Sequence, residues 1–213
     1  MNSKDTKKVI VALDNMTVSE ALKIAKTLQG LVWGYKVNDL LHEDSNIIKH
    51  LKKYGKVFAD VKLYDIPNTV SNTVKKLSKH GADFITVHIS GGIPMMQAAK
   101  KNSGKSKIIG VTVLTSNYIK SSTEVTNLVK MALKANIDGI VCSGNELKDV
   151  RGLIRQKSLI TVVPGIRPKS YKAKDDQIRK VTPKEAIDLG ANYLVIGRPI
   201  TKSKNILKAL EEL

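Results

Sequence analysis

The sequence predicts an α/β protein of the (β/α)8 TIM-barrel class. Apolar runs of strand length alternate with amphipathic helical segments along the 213 residues, and eight such pairs can be counted. Polar residues follow the strands at their carboxyl ends, where barrels of this class build their sites. Eight units in roughly 200 residues leave no room for an inserted domain, so we expect residues 1–213 to form a single barrel domain.

The predicted strands are short apolar runs, and helical patterns lie between and after them. In chain order the strands are Val9–Leu13, Val32–Val37, Val57–Lys62, Phe84–Ile89, Ile108–Leu114, Gly139–Cys142, Ile160–Pro164 and Tyr193–Gly197. Examples of the helical patterns are Ser19–Leu28, Thr69–Lys79, Glu124–Lys134 and Pro183–Leu189. An open, doubly wound sheet is the alternative, but no G-x-G-x-x-G follows the first strand.

The composition is that of a basic globular protein, with 42% apolar residues and a net charge of +17 at pH 7. Such a charge suits polyanion binding. However, the lysines are scattered over the helical faces and no basic strip with interleaved aromatic residues occurs, so we expect no nucleic-acid partner.

The start of the chain is hydrophilic and the longest apolar runs are strand-sized, which predicts a cytoplasmic protein with no membrane association.

Cys142 is the single cysteine of the chain. One cysteine excludes an internal disulfide and a cysteine-based zinc cluster. Because it lies in an apolar run, we expect it to be a small core residue.

Polar residues recur at the ends of the predicted strands. Parallel barrel strands are covered on both faces, so a charged side chain within one is costly unless it is paired or functional. Lys36 and Lys62, each flanked by apolar residues in a predicted strand, are therefore candidates for a function. The strand-end residues are Asp14, Lys36, Asn38, Asp60, Lys62, His88, Ser90, Thr115, Ser116, Arg167 and Arg198.

The third strand carries two of these charges. Side chains at i and i+2 of a strand share a face, so Asp60 and Lys62 should point the same way, about 7 Å apart along the backbone. Pro67 suits the first position of a helix, which places Thr69 in its first turn, where backbone N–H groups are unpaired. A surface ion pair is the alternative explanation of Asp-x-Lys.

The eighth strand ends in Val195-Ile-Gly-Arg-Pro199, a composition suited to a phosphate. Glycine lets backbone N–H groups approach an anion, and arginine supplies a bidentate fork. Barrels often bind phosphate after strands seven and eight. A surface ion pair is the alternative for Arg198. His88 is interpreted as a hydrogen-bonded structural residue and left out of the catalytic set.

In these residues the chain resembles the orotidine 5′-phosphate decarboxylase family. A lone Asp-x-Lys-x-x-Asp also occurs in sugar-phosphate enzymes of the same barrel group, but its continuation into Ile-Pro-Asn-Thr and the presence of Lys36 narrow the choice. The matching segments run in order along essentially the whole chain: Ala12-Leu-Asp14, Tyr35-Lys36-Val37, Asp60-x-Lys62-x-x-Asp65-Ile-Pro-Asn-Thr69, Leu114-Thr-Ser116, Val163-Pro-Gly-Ile-Arg-Pro168 and Val195-Ile-Gly-Arg-Pro199.

The resemblance implies a homodimer that converts orotidine 5′-monophosphate to UMP in pyrimidine biosynthesis without a cofactor. Its implied catalytic residues are Lys36, Asp60, Lys62 and Asp65, with Asp65 contributed by the neighbouring subunit and Lys62 giving the proton to C6. Its implied ribose contacts are Asp14, Lys36, Asp65 and Thr69. Ser116 would contact the pyrimidine, and Gly197 with Arg198 the phosphate. Ile66, Pro164 and Lys169 complete the implied substrate-binding set.

Two similar enzymes, 3-keto-L-gulonate 6-phosphate decarboxylase and hexulose-6-phosphate synthase, hold magnesium through an acidic ligand near the end of the second strand. This chain has Lys36 there, and a cation would repel the metal. We therefore expect metal-independent catalysis. A magnesium-dependent sugar-phosphate lyase and a basic nucleic-acid-binding barrel stay as alternatives from other classes.

The charged segment after Pro164 is predicted to be a lid over the phosphate. Family members usually carry a glutamine there that bridges phosphate and pyrimidine, where this chain has Lys169. Lysine binds phosphate as a point charge but cannot accept a hydrogen bond from a serine.

Overall fold

The eight predicted strands close into a parallel barrel. In the computed structural model, which describes residues 3–114, 122–171 and 180–213, each strand pairs with the next and the eighth pairs with the first. The predicted (β/α)8 barrel is confirmed, and the open-sheet alternative is wrong. The strands are β1 (Val9–Ala12), β2 (Gly34–Val37), β3 (Lys56–Leu63), β4 (Phe84–His88), β5 (Lys107–Val111), β6 (Gly139–Val141), β7 (Ile160–Val163) and β8 (Tyr193–Ile196).

Helices connect the strands and surround the barrel. All four of the predicted helical patterns match observed helices within two residues at each end. The helices are α1 (Ser3–Thr6), α2 (Val18–Thr27), α3 (Leu40–Glu43), α4 (Ile47–Leu51), α5 (Pro67–Lys79), α6 (Ile93–Lys101), α7 (Ser122–Ala135), α8 (Gly144–Lys157), α9 (Pro183–Asp188), α10 (Arg198–Thr201) and α11 (Ile206–Glu211), with a 3₁₀ turn at Ile89–Gly91.

The helix starts follow local chemistry. Thr17, Ser143 and Thr182 each begin a helix as the first half of a capping box, in which the glutamate three residues on bonds back to the cap. Pro67 occupies the first turn of α5, as predicted. Several strands end one residue earlier than predicted, and β5 differs most: it ends at Val111 rather than Leu114, because its neighbour β6 stops at Val141, the partner of Val111.

The core has two parts. The larger lies between the strands and the helices and includes Cys142, which is 1% exposed, so its predicted place in the core is confirmed. The smaller fills the barrel interior around Phe58 and Phe84. At the amino ends of the strands the rings of Trp33, Phe84 and Tyr193 pack within 4.5–5.4 Å of one another. This aromatic layer closes one end of the barrel and leaves the carboxyl end for a cavity.

Among the described helices, none is both long and apolar enough to cross a membrane.

Candidate active site

A cavity of about 480 Å³ opens at the carboxyl ends of the strands. The bottom of the cavity is formed by residues of the interior core, including Phe58 and Val195. Charged side chains from opposite sides of the barrel face each other across it. The lining residues are Ala12, Asp14, Asn15, Lys36, Asn38, Phe58, Asp60, Lys62, Val111, Val113, Leu114, Val141, Pro164, Gly165, Arg167, Val195, Gly197, Arg198, Thr201 and Lys202.

Lys36, on β2, lies between the carboxylates of Asp14, just after β1, and Asp60, on β3. Its Nζ is 2.7 Å from Oδ1 of Asp14 and 3.4 Å from Oδ2 of Asp60, and its side chain is 9% exposed. Burial acts to lower the pKa of Lys36, but the charges of Asp60 and Asp14 and their hydrogen bonds outweigh it and raise the pKa above its ordinary value. Lys36 is therefore a buried, permanently charged ammonium group at neutral pH.

Asp60 continues the chain of alternating charge. Its Oδ2 also lies 2.7 Å from Nζ of Lys62, which is less deeply buried. Burial acts to raise the pKa of Asp60, but Lys36 and Lys62, with hydrogen bonds from Lys62 and Thr86, hold it below its ordinary value. The side chains of Asp14, Lys36, Asp60 and Lys62 thus alternate in charge, and their net charge is zero. This permits the burial of charges that would each be costly alone.

The backbone that carries Asp60 and Lys62 is not a regular strand. Between the pairs Ala59↔Ile85 and Leu63↔Val87, β3 contributes three residues while β4 contributes Thr86 alone. Lys62 has a φ of 48°, in the left-handed region, which costs a residue other than glycine about 1–2 kcal/mol. Asp60 and Lys62 both line the cavity, as predicted, but a bulge places them there rather than regular alternation.

Asp65, Ile66 and Thr69 do not join this cluster in their own chain. All three are exposed, and none is among the described residues that line the cavity. The carboxylate of Asp65 accepts a hydrogen bond from the backbone N–H of Ile66 at 2.6 Å. Tyr64 and Ile66 are each 66% exposed, so an apolar surface adjoins these residues at the rim.

The opposite side of the cavity holds the predicted anion-binding residues. Pro164 follows β7, and Gly197 and Arg198 follow β8; all three line the cavity. A Cβ built on Gly197 would lie 3.4 Å from the Cβ of Ala12, which is ordinary van der Waals contact, so this glycine packs beside Ala12 at the cavity wall.

One further predicted binding residue lies outside the described cavity lining, and another is not among the described residues. Lys169 is exposed in a turn after β7, where its charge acts on Glu185 of α9. Ser116 lies outside the described residues, as does most of the predicted lid, at 172–179. Their roles stay predictions.

Sequence reasoning missed several residues of the site. Thr86 is fully buried on β4 and contacts both Asp60 and Lys62. Lys202 lines the cavity one helical turn beyond Arg198, a spacing of four residues that was visible in the sequence. Nothing in the sequence distinguished Thr86 from other buried strand threonines.

His88 lies beside the cluster, outside the cavity lining. Its ring packs edge-on against Tyr64 at 5.8 Å. Burial lowers the pKa of His88, and Lys62 lowers it further, while Asp60 opposes the shift. No metal-binding group of three or more His, Cys, Asp or Glu side chains occurs within residues 3–114, 122–171 and 180–213.

A closed parallel barrel with a charged cavity at the carboxyl ends of its strands defines a (β/α)8-barrel enzyme. Residues 7–213 match the orotidine 5′-phosphate decarboxylase / HUMPS family, and the chain belongs to this family. The resemblance seen in the sequence is thereby confirmed.

Relatives match over nearly their whole length. The chain is 41% identical over 225 residues to orotidine 5′-phosphate decarboxylase of Lawsonia intracellularis, with 97% of each protein covered. The corresponding protein of Aquifex aeolicus is 41% identical over 226 residues, covering 96% of this chain and 95% of the relative. The crystal structure of orotidine 5′-phosphate decarboxylase from Lactobacillus acidophilus matches with a TM-score of 0.79 at 34% identity, covering 96% of both chains.

Proposed function

We propose that this chain decarboxylates orotidine 5′-monophosphate to UMP in pyrimidine biosynthesis, without a metal or cofactor. The observation that carries the proposal is the continuous alternation Asp14, Lys36, Asp60, Lys62, joined by contacts of 2.7, 3.4 and 2.7 Å within one cavity. The family and the names of its relatives support the reaction class.

Lys62 is the proposed proton donor. When the bond between C6 and the carboxylate breaks, its electron pair stays on C6 and CO2 leaves. The Lys62 ammonium stabilises the developing charge, transfers a proton to C6, and regains one from solvent. At 4 Å and an effective dielectric of 20, a unit charge pair interacts by about 4 kcal/mol. Only the part that appears in the transition state accelerates the reaction.

Asp60 is proposed to face the departing carboxylate of the substrate. Its pKa is held below the ordinary value, so it is an anion at neutral pH. An anion there favours loss of a second carboxylate by repulsion, and its 2.7 Å contact fixes the Lys62 ammonium. Asp14 and Lys36 would hold the ribose hydroxyls, as carboxylate acceptor and ammonium donor.

Gly197 and Arg198 are proposed to bind the substrate phosphate, with Pro164 and Lys169 on the adjoining side. The position of Gly197 in the cavity lining supports this assignment, since a residue without a side chain lets an anion approach its backbone. Binding energy from a phosphate remote from C6 can be used to organise the reacting end.

We also propose a homodimer with sites shared across the interface. Asp65, Ile66 and Thr69 are exposed at the rim of their own barrel, next to the exposed apolar surface of Tyr64 and Ile66. Covering that surface with a second subunit would bury apolar area and bring Asp65 and Thr69 to the partner's cavity. In this proposal residues 1–213 act as one catalytic domain in the cytoplasm.

The second candidate is a magnesium-dependent sugar-phosphate lyase, because the family description also covers HUMPS. The position of Lys36 disfavours it. Its ammonium lies between Asp14 and Asp60, the carboxylates that would otherwise offer hard oxygen ligands, and neutralises both.

One assay separates these functions. Purified protein is mixed with orotidine 5′-monophosphate and the ultraviolet change that accompanies UMP formation is followed, with and without exhaustive chelation. We expect turnover that chelation leaves unchanged and that Lys62→Ala abolishes. Activity that is lost on chelation and restored by magnesium would contradict the metal-free proposal, and no turnover by the wild type would overturn the function itself.

A further inference from the structure

Thr86 connects the two residues on which the proposed chemistry depends. It lies on β4, is 0% exposed, and faces the bulge of β3. The backbone N–H of Lys62 donates to its Oγ1 at 2.8 Å, and the same hydroxyl donates to Oδ1 of Asp60 at 3.1 Å. One hydroxyl therefore accepts from the backbone of the proton donor and donates to the carboxylate beside it.

Both bonds act where the local structure is unfavourable. The N–H of Lys62 belongs to a residue in the left-handed region, at a point where β3 has slipped out of register with β4. A regular ladder would satisfy that N–H with a backbone carbonyl; here the threonine hydroxyl replaces it. The second bond leaves Oδ2 of Asp60 to the ammonium groups of Lys62 and Lys36.

We propose that Thr86 is a positioning residue for decarboxylation: its hydroxyl locks the left-handed backbone of Lys62 and the orientation of the Asp60 carboxylate in one arrangement. The inference rests on the proposed function, and it concerns a residue that is not among the described residues lining the cavity. A methyl group in place of the hydroxyl leaves the N–H of Lys62 and Oδ1 of Asp60 without this partner in a buried site.

The test is Thr86→Val, which keeps the branched shape and removes the hydroxyl. We expect kcat to fall roughly 10- to 100-fold with a much smaller change in KM, because the misplaced groups act mainly in the transition state. Thr86→Ser, which keeps the hydroxyl, should recover most of the lost kcat. Thr161→Val is the matched control, since Thr161 is also 0% exposed on a strand but bonds to Gly190 and Asn192 on the amino side of the barrel.

A second measurement does not depend on catalytic activity. Hydrogen exchange at the Lys62 amide, followed by nuclear magnetic resonance, should be faster in Thr86→Val than in wild type and in Thr161→Val. A kcat in Thr86→Val within twofold of wild type, or a loss equal to that of Thr161→Val, would overturn the inference. If wild type itself does not turn over, the proposed function fails, and unchanged exchange at Lys62 would separately overturn the positioning role.

Discussion

The ammonium group of Lys36 lies 2.7 Å from Oδ1 of Asp14, which joins the ends of the first two strands of the barrel by an ion pair. Because Asp60 of the third strand contacts the same ammonium group at 3.4 Å, three consecutive βα units meet at one charge. The stability of the carboxyl end of the barrel and the chemistry of its cavity therefore depend on the same side chain.

Replacing Lys36 with methionine should destabilise the protein. The change leaves Asp60 buried with one ammonium neighbour fewer, and breaking a buried ion pair in this way costs about 3–5 kcal/mol. Urea denaturation at pH 7 measures the free energy of unfolding. Lys184→Met is the matched control, because its ion pair with Asp188 lies on an exposed helix face and should contribute nothing measurable. Equal effects of the two changes would contradict the buried network.

The variants Lys62→Gly and Lys62→Ala should differ in stability. Both remove the ammonium group and should abolish decarboxylation. Only glycine adopts a φ of 48° without strain, so Lys62→Gly should be more stable than Lys62→Ala by about 1 kcal/mol. Denaturant unfolding of the two variants measures this difference. Equal stabilities of the two variants would contradict a left-handed backbone conformation at Lys62.

The pKa of His88 predicts a pH dependence of stability. Its folded-state pKa is lowered, by burial first and then by Lys62, so the unfolded chain takes up a proton near pH 6.5 before the folded protein does. The free energy of unfolding should therefore fall as the pH drops below about 6.5 and through the folded-state pKa. Unfolding curves for wild type and His88→Asn, measured from pH 7.5 to pH 5, should diverge in this window. In Lys62→Ala the effect of His88 should be smaller, since one of its causes is removed.

Sharing of the site between subunits can be tested by mixing inactive variants. If Asp65 serves the partner's cavity, Lys62→Ala and Asp65→Asn subunits reassociated in equal amounts form mixed dimers with one intact site. Roughly one quarter of wild-type activity should then return. Lys62→Ala mixed with Asp60→Asn is the control and should recover none, because both residues line the cavity of their own chain. The absence of recovery in the first mixture would place Asp65 in its own site or outside the reaction.

Lys169→Ala should raise KM for orotidine 5′-monophosphate with a smaller effect on kcat. The prediction follows from a point charge that attracts the phosphate without reaching C6. Steady-state kinetics at low ionic strength, where such an effect is largest, would show it. Lys184→Ala, on the exposed face of α9, is the control for loss of a surface charge. An unchanged KM in Lys169→Ala would contradict the lid role.

The sequence was sufficient for the barrel because its strands and helices differ in hydrophobic period, and eight alternations favour few other topologies. It also identified Lys36 and Lys62, since a charge inside a buried strand is costly without a partner, and it identified Asp14 and Asp60 as polar residues at strand ends. It could not supply the bulge in β3 or the φ of Lys62, because both depend on pairing with β4, which no local pattern encodes. For the same reason Thr86 resembled any other core threonine.

Pairing of β1 with β8 has a consequence for the order in which the protein is made on the ribosome. Lys36, Asp60 and Lys62 belong to the first third of the chain, whereas Gly197 and Arg198 come almost at its end. A nascent chain that stops before residue 193 carries the charged residues without the strand that completes the ring around them. The cavity is therefore among the last features of the molecule to form, and a truncation that removes β8 removes the cavity with it.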